Sequence, residues 1–314
     1  MESRDGVDPQ TKGTRTEIKG KIFYDVPLAD YTSWRIGGPV DYLVFPRDAA
    51  DLKEVLEWAR RDKIPYFILG KGTNILVRDG GFRGMAISLA DGFAQLAVIK
   101  SLAAEIHLHA GAGLPLGMVI DFCLQKGLTG LEFAAGIPGS IGGAIAMNAG
   151  AFGGEIKDVL QAVWVMDAHG NMREDPKEKL SFSYRALRML PGEIILGGLF
   201  RLRPAEITQV QEEVRKIIAR RREKQPYDFP SAGSVFRNPQ AGPAGRLIEK
   251  AGLKGYRIGA AQVSEKHANF IINRGGARAK DVLKLIEVVR DKVWRETGVL
   301  LELEIQVMGE DGED

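Results

Sequence analysis

The sequence predicts an α+β protein with a two-part ligand-binding portion and a smaller substrate portion that begins after about Pro204. Three observations predict it. Short apolar runs at strand spacing mix with helical patterns, and no repeat period appears, which excludes a solenoid. Two glycine-rich stretches, 70–74 and 136–154, interrupt the first two thirds of the chain. After a long charged helix the composition shifts, with three prolines crowded into residues 224–239.

Residues 1–20 are polar and lack the apolar stretch of a signal peptide, so they are expected to form a disordered leader. Residues 42–45 form a short strand. Asp48 is placed to cap a helix through Lys63, in which Leu52, Val55, Leu56 and Ala59 recur at helical spacing. Residues 66–69 are the next strand. It opens into Gly70-Lys71-Gly72-Thr73-Asn74, followed by the apolar Ile75, Leu76 and Val77. The turn lacks the order of G-x-x-x-x-G-K-[ST], and no helix pattern follows it as G-x-G-x-x-G requires. It reads as a second phosphate loop or as an ordinary turn. Short strands are expected at 85–89, 95–99 and 105–109, then a helix from about Pro115 to Lys126. Residues 159–167 and 194–203 alternate as strands, with a turn at 168–171. Pro204 ends this layer, and the charged helix 206–222 follows. Beyond the proline-rich loop come a helix around 247–251, a strand at 270–273 and a helix at 279–297 with Val282, Leu285, Ile286, Val289 and Val293 on one face. A last strand, 300–308, precedes an acidic tail, 310–314, expected to fray.

The most informative segment lies between Glu132 and Glu155, twenty-two residues without a charge, seven of them glycine. Glycine permits positive φ and close approach of backbone to a ligand, and successive N–H groups turned inward make an anion-binding nest. The run holds no lysine, arginine or metal-binding carboxylate, so a phosphate there is held by backbone dipoles. That points to a bound dinucleotide rather than a nucleoside triphosphate being cleaved. A flexible linker is the plain alternative. Against it, Ile137, Ile141, Ile145, Met147 and Phe152 need burial, and Pro138 stiffens the turn.

Composition sets the remaining bounds. Hydrophobic residues make up 45% and charged residues 27%, as in an ordinary globular protein of two or three domains. A net charge of +2 without a basic, aromatic-interleaved stripe gives no case for a nucleic-acid partner, and no apolar stretch is long enough to span a bilayer. One cysteine excludes an internal disulfide and fits a reducing cytoplasm; among Val119, Ile120, Phe122 and Leu124, Cys123 reads as a buried structural thiol. The four histidines form no ligand cluster, so no catalytic metal is expected. A monomer is expected.

Several segments, in this order, identify a family: Tyr31-Thr-Ser-Trp-Arg-Ile-Gly-Gly38, Gly70-Lys-Gly-Thr-Asn74, Gly136-Ile-Pro-Gly-Ser-Ile-Gly-Gly143, Asn148-Ala-Gly-Ala-Phe-Gly153, Phe182-Ser-Tyr-Arg185, Gly233-Ser-Val-Phe236 and His267-Ala-Asn-Phe270. Together they resemble bacterial UDP-N-acetylenolpyruvoylglucosamine reductases, flavoenzymes that make UDP-N-acetylmuramate for peptidoglycan. The resemblance implies a two-lobed FAD-binding domain of the vanillyl-alcohol-oxidase (PCMH) type over 21–203, with lobes of about 21–92 and 93–203. A smaller α+β substrate-binding domain over 204–309 covers the flavin. It also implies non-covalent FAD, with NADPH as co-substrate and a UDP-sugar as substrate. The implied cofactor residues are Gly70, Lys71, Gly72, Thr73, Asn74 and Ile75, then Gly136, Ile137, Pro138, Gly139, Ser140, Gly142 and Gly143, with Asn148, Gly150 and Gly153. Asn148 is expected to aim its amide at the flavin ring edge or ribityl chain.

By the same resemblance Ser234 is the proton donor, Arg185 pairs with the substrate carboxylate, and Glu304 is the catalytic glutamate. Tyr184, Lys224 and Asn238 contact substrate. Without the resemblance these residues read as a turn serine, a surface arginine and solvated charges. Glu302 and Glu304 are two apart on an expected strand, so side-chain alternation cannot choose between them; the family motif selects Glu304. The 49 positions from Arg185 to Ser234 fit the family's shorter form, which lacks a lid tyrosine. An oxidase on the same flavin fold and a non-catalytic nucleotide sensor are the rival readings. Many such oxidases tether FAD through histidine, and neither glycine loop contains one.

Overall fold

The computed structural model describes residues 18–312. The expected leader up to residue 17 and the last two residues of the acidic tail lie outside these. The α+β class holds.

The first sheet runs in the order Lys21–Pro27, Pro39–Phe45, Phe82–Ile87, Tyr66–Ile68; its first pair is antiparallel and the others parallel. The crossover helix Ala49–Arg61 starts where the sequence predicts, because Asp48 Oδ1 accepts the Asp51 N–H at 2.9 Å. Leu52, Val55, Leu56 and Ala59 are buried on its inner face. They join Val44, Met85 and Ile87 in one core with the second sheet, so the two lobes share their apolar interior.

The second sheet has six strands. Met172–Pro176, Leu160–Met166, Ile194–Pro204, Ile106–Gly111 and Leu96–Ser101 lie side by side, and Leu128–Thr129 pairs with the far end of Ile194–Pro204. Its pairs are antiparallel. The uncharged glycine run, expected to be a loop, contains a short helix, Ile141–Ala146, capped by Ser140 Oγ, which accepts the Gly143 N–H at 3.3 Å. It lies close on the sheet because Gly198 has no side chain; a Cβ there would meet Ile145 Cδ1 at 2.8 Å. The charged helix, Ile207–Lys224, packs Val214 and Ile217 into this same core, so by packing it sides with the second sheet although it lies beyond Pro204.

The C-terminal part is organised around the helix Ala279–Thr297, which has the predicted bounds and buried face. It packs on the three strands Arg257–Ile258, Ala261–Val263 and Ile271–Asn273 and on the helix Ala244–Lys250. Trp34, Ile36 and Leu76 of the first lobe complete its core. Polar ties follow the same route: Trp34 Nε1 donates to Ile271 O at 2.8 Å, and Asp79 accepts the first N–H groups of the long helix, from Ala279 at 2.8 Å and Lys280 at 3.0 Å.

Two expectations fail here. The last strand is only Gln306–Met308, paired parallel with Ile75–Val77; upstream of it the chain forms a single bridge, Leu303 to Phe236. The tail does not fray through residue 312: Glu310 bridges Gly81, and Asp311 pairs with Arg78. No helix among the described residues is long and apolar enough to cross a membrane.

Candidate active site

The two glycine loops come together. Thr73 Oγ1 donates to Pro138 O at 3.2 Å, and a Cβ on Gly70 would lie 3.0 Å from Ser140 Oγ. At Gly72, φ is +59° and a Cβ would fall 2.1 Å from Tyr31 O, so only glycine permits the turn. The second loop is less free than its composition suggests. Ile137, Ile141 and Gly142 donate their N–H groups to Ala134 O, Leu114 O and Ala112 O. Among the described residues, the N–H groups of residues 70–74, and of Gly139 and Ser140, carry no such bond. The unbonded donors therefore lie along the first loop and at one corner of the second, with Gly72 and Ser140 buried.

Asn148 takes a different part from the one expected. It is fully buried, its Nδ2 donates to Glu155 Oε2 and Ser183 O, and its Oδ1 accepts the Lys157 N–H at 3.1 Å. Its amide holds neighbouring segments together rather than facing a ligand. Gly150 lies in the tight pair of Gly150–Ala151 with Gly154–Glu155, and Gly153 in its turn. Phe152, in the same turn, lies under the guanidinium groups of Arg220 and Arg221.

Arg185 occupies the two-residue turn between the strands Ser181–Ser183 and Ala186–Arg188. Its φ is +58°, a left-handed conformation that costs a non-glycine residue about 1–2 kcal/mol. Its Nε donates to Glu304 Oε1 at 3.1 Å. Glu304 is mostly buried, and burial pushes its carboxyl above the ordinary value; the Arg185 and Arg237 charges pull it partly back. Asn74 Nδ2 donates to Glu304 O at 3.1 Å, which fixes the glutamate's backbone against the first glycine loop. Glu302 is exposed. Burial and the Arg185 contact thus separate two carboxylates that alternation could not.

Tyr184, about half exposed, receives a long hydrogen bond on its hydroxyl from Asn238 Nδ2 at 3.4 Å, and Asn238 Oδ1 accepts the Ala244 N–H at 3.0 Å. Ser234 follows Gly233, whose φ is +74°, and bridges Phe270. Asn269 clamps this segment: its Oδ1 accepts the Phe236 N–H at 2.9 Å and its Nδ2 donates to Phe236 O at 2.8 Å. Lys224 is exposed at the end of its helix, and its charge adds slightly to the burial that keeps the His267 imidazole towards the neutral form.

The sequence reading overlooked Arg221. It is buried, its Nη2 donates to Phe133 O at 3.4 Å, its Nε has no partner, and its Cδ lies 3.0 Å from where a Gly136 Cβ would be. Burial lowers its affinity for the proton. The signal was present: Val210, Val214, Ile217 and Arg221 are the buried residues of one helix, at helical spacing.

Residues 40–175 match the model of an FAD binding domain, and residues 225–308 match the model described as UDP-N-acetylenolpyruvoylglucosamine reductase, C-terminal domain. The UDP-N-acetylenolpyruvoylglucosamine reductase of Syntrophus aciditrophicus is 44% identical over 94% of each chain, and that of Geobacter metallireducens is 44% identical over 95% of this chain and 97% of its own. The crystal structure of the reductase from Thermus caldophilus superposes with a TM-score of 0.78 at 36% identity, covering 93% of this chain and 99% of that one.

Proposed function

The chain belongs to the UDP-N-acetylenolpyruvoylglucosamine reductase family, and on that premise we propose how its own residues carry out the reduction of a UDP-N-acetylglucosamine enolpyruvyl ether to UDP-N-acetylmuramate, a peptidoglycan precursor. The carrying observation is that Glu304, bonded to Arg185, is also bonded through its backbone to Asn74 of the first glycine loop.

The residues present fit FAD. The unbonded N–H groups along residues 70–74 and at Gly139 suit a pyrophosphate, and Gly70 and Gly136 keep the packing of the two loops close, since a Cβ would crowd Ser140 Oγ or Arg221 Cδ. Arg221 sets an unpartnered buried Nε beside Gly136. Bound there, FAD supplies the hydride relay between NADPH and the β-carbon of the enolpyruvyl ether.

Addition of hydride to the β-carbon leaves electron density on the α-carbon and its carboxylate. Arg185, whose planar fork suits a carboxylate, stabilises that charge. Its strained φ supports a functional reading of the turn. The Ser234 hydroxyl then protonates the α-carbon: a hydroxyl is a weak acid, but a carbanionic carbon is a far stronger base. Glu304 keeps Arg185 aimed and, with its raised carboxyl pKa, can share a proton at the carboxylate end. Tyr184 and Asn238 hydrogen-bond the substrate, and Lys224 meets the UDP diphosphate at the cleft mouth. The two-lobed domain, extended through the helix Ile207–Lys224 that packs on it, a smaller domain after that helix, a monomeric state and a cytoplasmic location complete the reading; the single cysteine fits that compartment.

The test is spectroscopic. The purified protein should carry a yellow, non-covalent flavin that bleaches with NADPH in the absence of oxygen and recovers its colour on addition of the enolpyruvyl substrate. A colourless protein that FAD cannot reconstitute, or a reduced flavin that only oxygen restores, would overturn the reading.

A further inference from the structure

Arg237 lies between Ser234 and Asn238 and has no task in the reading above. Phe236 faces Leu303 in an antiparallel bridge; the Glu304 N–H donates to Val235 O at 2.8 Å, and the Arg237 N–H donates to Glu302 O at 2.9 Å. Neighbours of a bridged pair point to the opposite face, so Phe236 and Leu303 share one side while Arg237 and Glu304 share the other. Arg237 and Glu304 are then diagonal neighbours, a separation of roughly 7–8 Å at the backbone that long side chains span. The Arg237 charge is accordingly felt at Glu304, from the side of the ladder, while Arg185 reaches it from the hairpin turn.

Among the described residues Arg237 forms no ion pair, and its Nε is buried without a hydrogen-bond partner. Glu302, directly across from it on the same face, is exposed and does not pair with it. The charges around Glu304 are thus two guanidinium groups, one of them bonded to its carboxylate, with Arg221 adding further positive potential at Arg185. One positive charge is in surplus where a substrate carboxylate is to be held. An unpaired buried guanidinium N–H is costly, and an incoming anion relieves that cost.

We propose that Arg237 is the second cation of a two-guanidinium clamp on the enolpyruvyl carboxylate, standing opposite Arg185 across Glu304. This rests on the reading of the site given above. It makes the discrimination of a carboxylate-bearing substrate from the plain UDP-sugar a property of the segment that also carries Ser234.

The test uses calorimetric titration of the oxidised holoenzyme with two ligands, UDP-N-acetylglucosamine enolpyruvate and UDP-N-acetylglucosamine, which lacks the carboxylate. Arg237→Met should weaken binding of the first about tenfold to a hundredfold and leave the second within about threefold. Arg237→Lys, which keeps the charge and loses the fork, should fall between wild type and Arg237→Met for the first ligand alone. The flavin spectrum and the unfolding midpoint check that each variant is folded; if Arg237→Met loses its flavin, the selective loss in Arg237→Lys decides. Equal weakening of both ligands would reassign Arg237 to the diphosphate or the sugar, and unchanged affinity for the enolpyruvyl ligand in the folded variants would remove it from the site; either result overturns the clamp. Wild-type protein that binds neither ligand would instead defeat the reading of the site itself.

Discussion

Arg185→Met and Glu304→Gln remove opposite halves of one ion pair, and the structure makes their costs unequal. The side chains are 24% and 16% exposed and share a single Nε–Oε1 contact of 3.1 Å. Exposed pairs contribute about 0.2–1 kcal/mol, whereas breaking a fully buried pair costs about 3–5 kcal/mol. For this intermediate burial, Arg185→Met should cost roughly 2 kcal/mol at about pH 8, where Glu304 is left ionised in a poorly solvated place. Methionine keeps the φ of +58° under strain, as arginine does, so the change reports on charge rather than on backbone relief.

The sign of the pH dependence follows from the direction of the Glu304 shift. Burial raises its folded-state pKa above the ordinary 4.5, and loss of Arg185 raises it further. A group raised on folding contributes stability that is full below its unfolded pKa and is lost as pH rises through the folded one. As the pH falls from about 8 to about 5 the variant takes up a proton on Glu304 more readily than wild type does, so the cost shrinks. Glu304→Gln should cost less than about 1 kcal/mol at either pH, because the amide oxygen can still accept the Arg185 N–H. Urea unfolding of the holoenzymes followed by circular dichroism measures both. An Arg185→Met penalty independent of pH, or equal penalties for the two variants at pH 8, refutes the account. Turnover should drop about a hundredfold to a thousandfold in Arg185→Met at both pH values, since the electrostatic contribution to the transition state is lost.

Three further outcomes are expected. Ser234→Ala should still bleach with NADPH, but stopped-flow recovery of flavin colour on adding substrate should slow by at least about a hundredfold, the range for a lost general acid. Gly72→Ala places a Cβ 2.1 Å from Tyr31 O at a φ of +59°, so the first loop cannot close and the protein should purify with little flavin, read from the ratio of visible to ultraviolet absorbance. Cys123, its thiol pushed up to about 12 by burial, should resist iodoacetamide at about pH 8 in the native protein and react readily once unfolded, as peptide mass spectrometry would show.

What the sequence reveals most clearly is what local chemistry decides. Asp48 caps its helix and residues 279–297 form theirs because capping and apolar spacing lie within a few residues of each other. Strand limits depend on partners. Leu301, Leu303, Ile305 and Val307 alternate, and Leu301 and Ile305 are buried, but only Gln306–Met308 finds a neighbouring strand. Lys21–Pro27 goes unread for the opposite reason: it has a partner, yet most of its side chains, Phe23 and Tyr24 included, are exposed, so no apolar alternation marks it. In the site, glycine content locates the loops but cannot say which N–H groups are open, because Ile141 and Gly142 are satisfied by Leu114 and Ala112, far back in the chain. Asn148 belongs to the recognised motif, yet the partners that occupy its amide are visible only in three dimensions. The short helix after Ser140 was legible in principle, as a serine cap before an apolar turn, but was masked by its glycines.

The two halves of the Arg185–Glu304 pair are anchored with different firmness, and that asymmetry bears on the proposed reading of the site. Glu304 is held by Asn74, and the strand that follows it pairs with Ile75–Val77. The same two portions of the chain are joined again by Trp34 on Ile271 and by Asp79 at the start of the long helix. The glutamate is therefore registered on the loop that fits the cofactor. Arg185 belongs to a two-residue turn on the other lobe, tied to the C-terminal part through its own bond to Glu304 and the 3.4 Å contact of Tyr184 with Asn238. On the proposed reading, a substrate carboxylate that competes for the Arg185 fork would draw on that turn while Glu304 stays registered on the loop behind it. The left-handed φ at Arg185 is a cost borne by that turn, so on the same reading the strain sits in the less firmly anchored half of the pair.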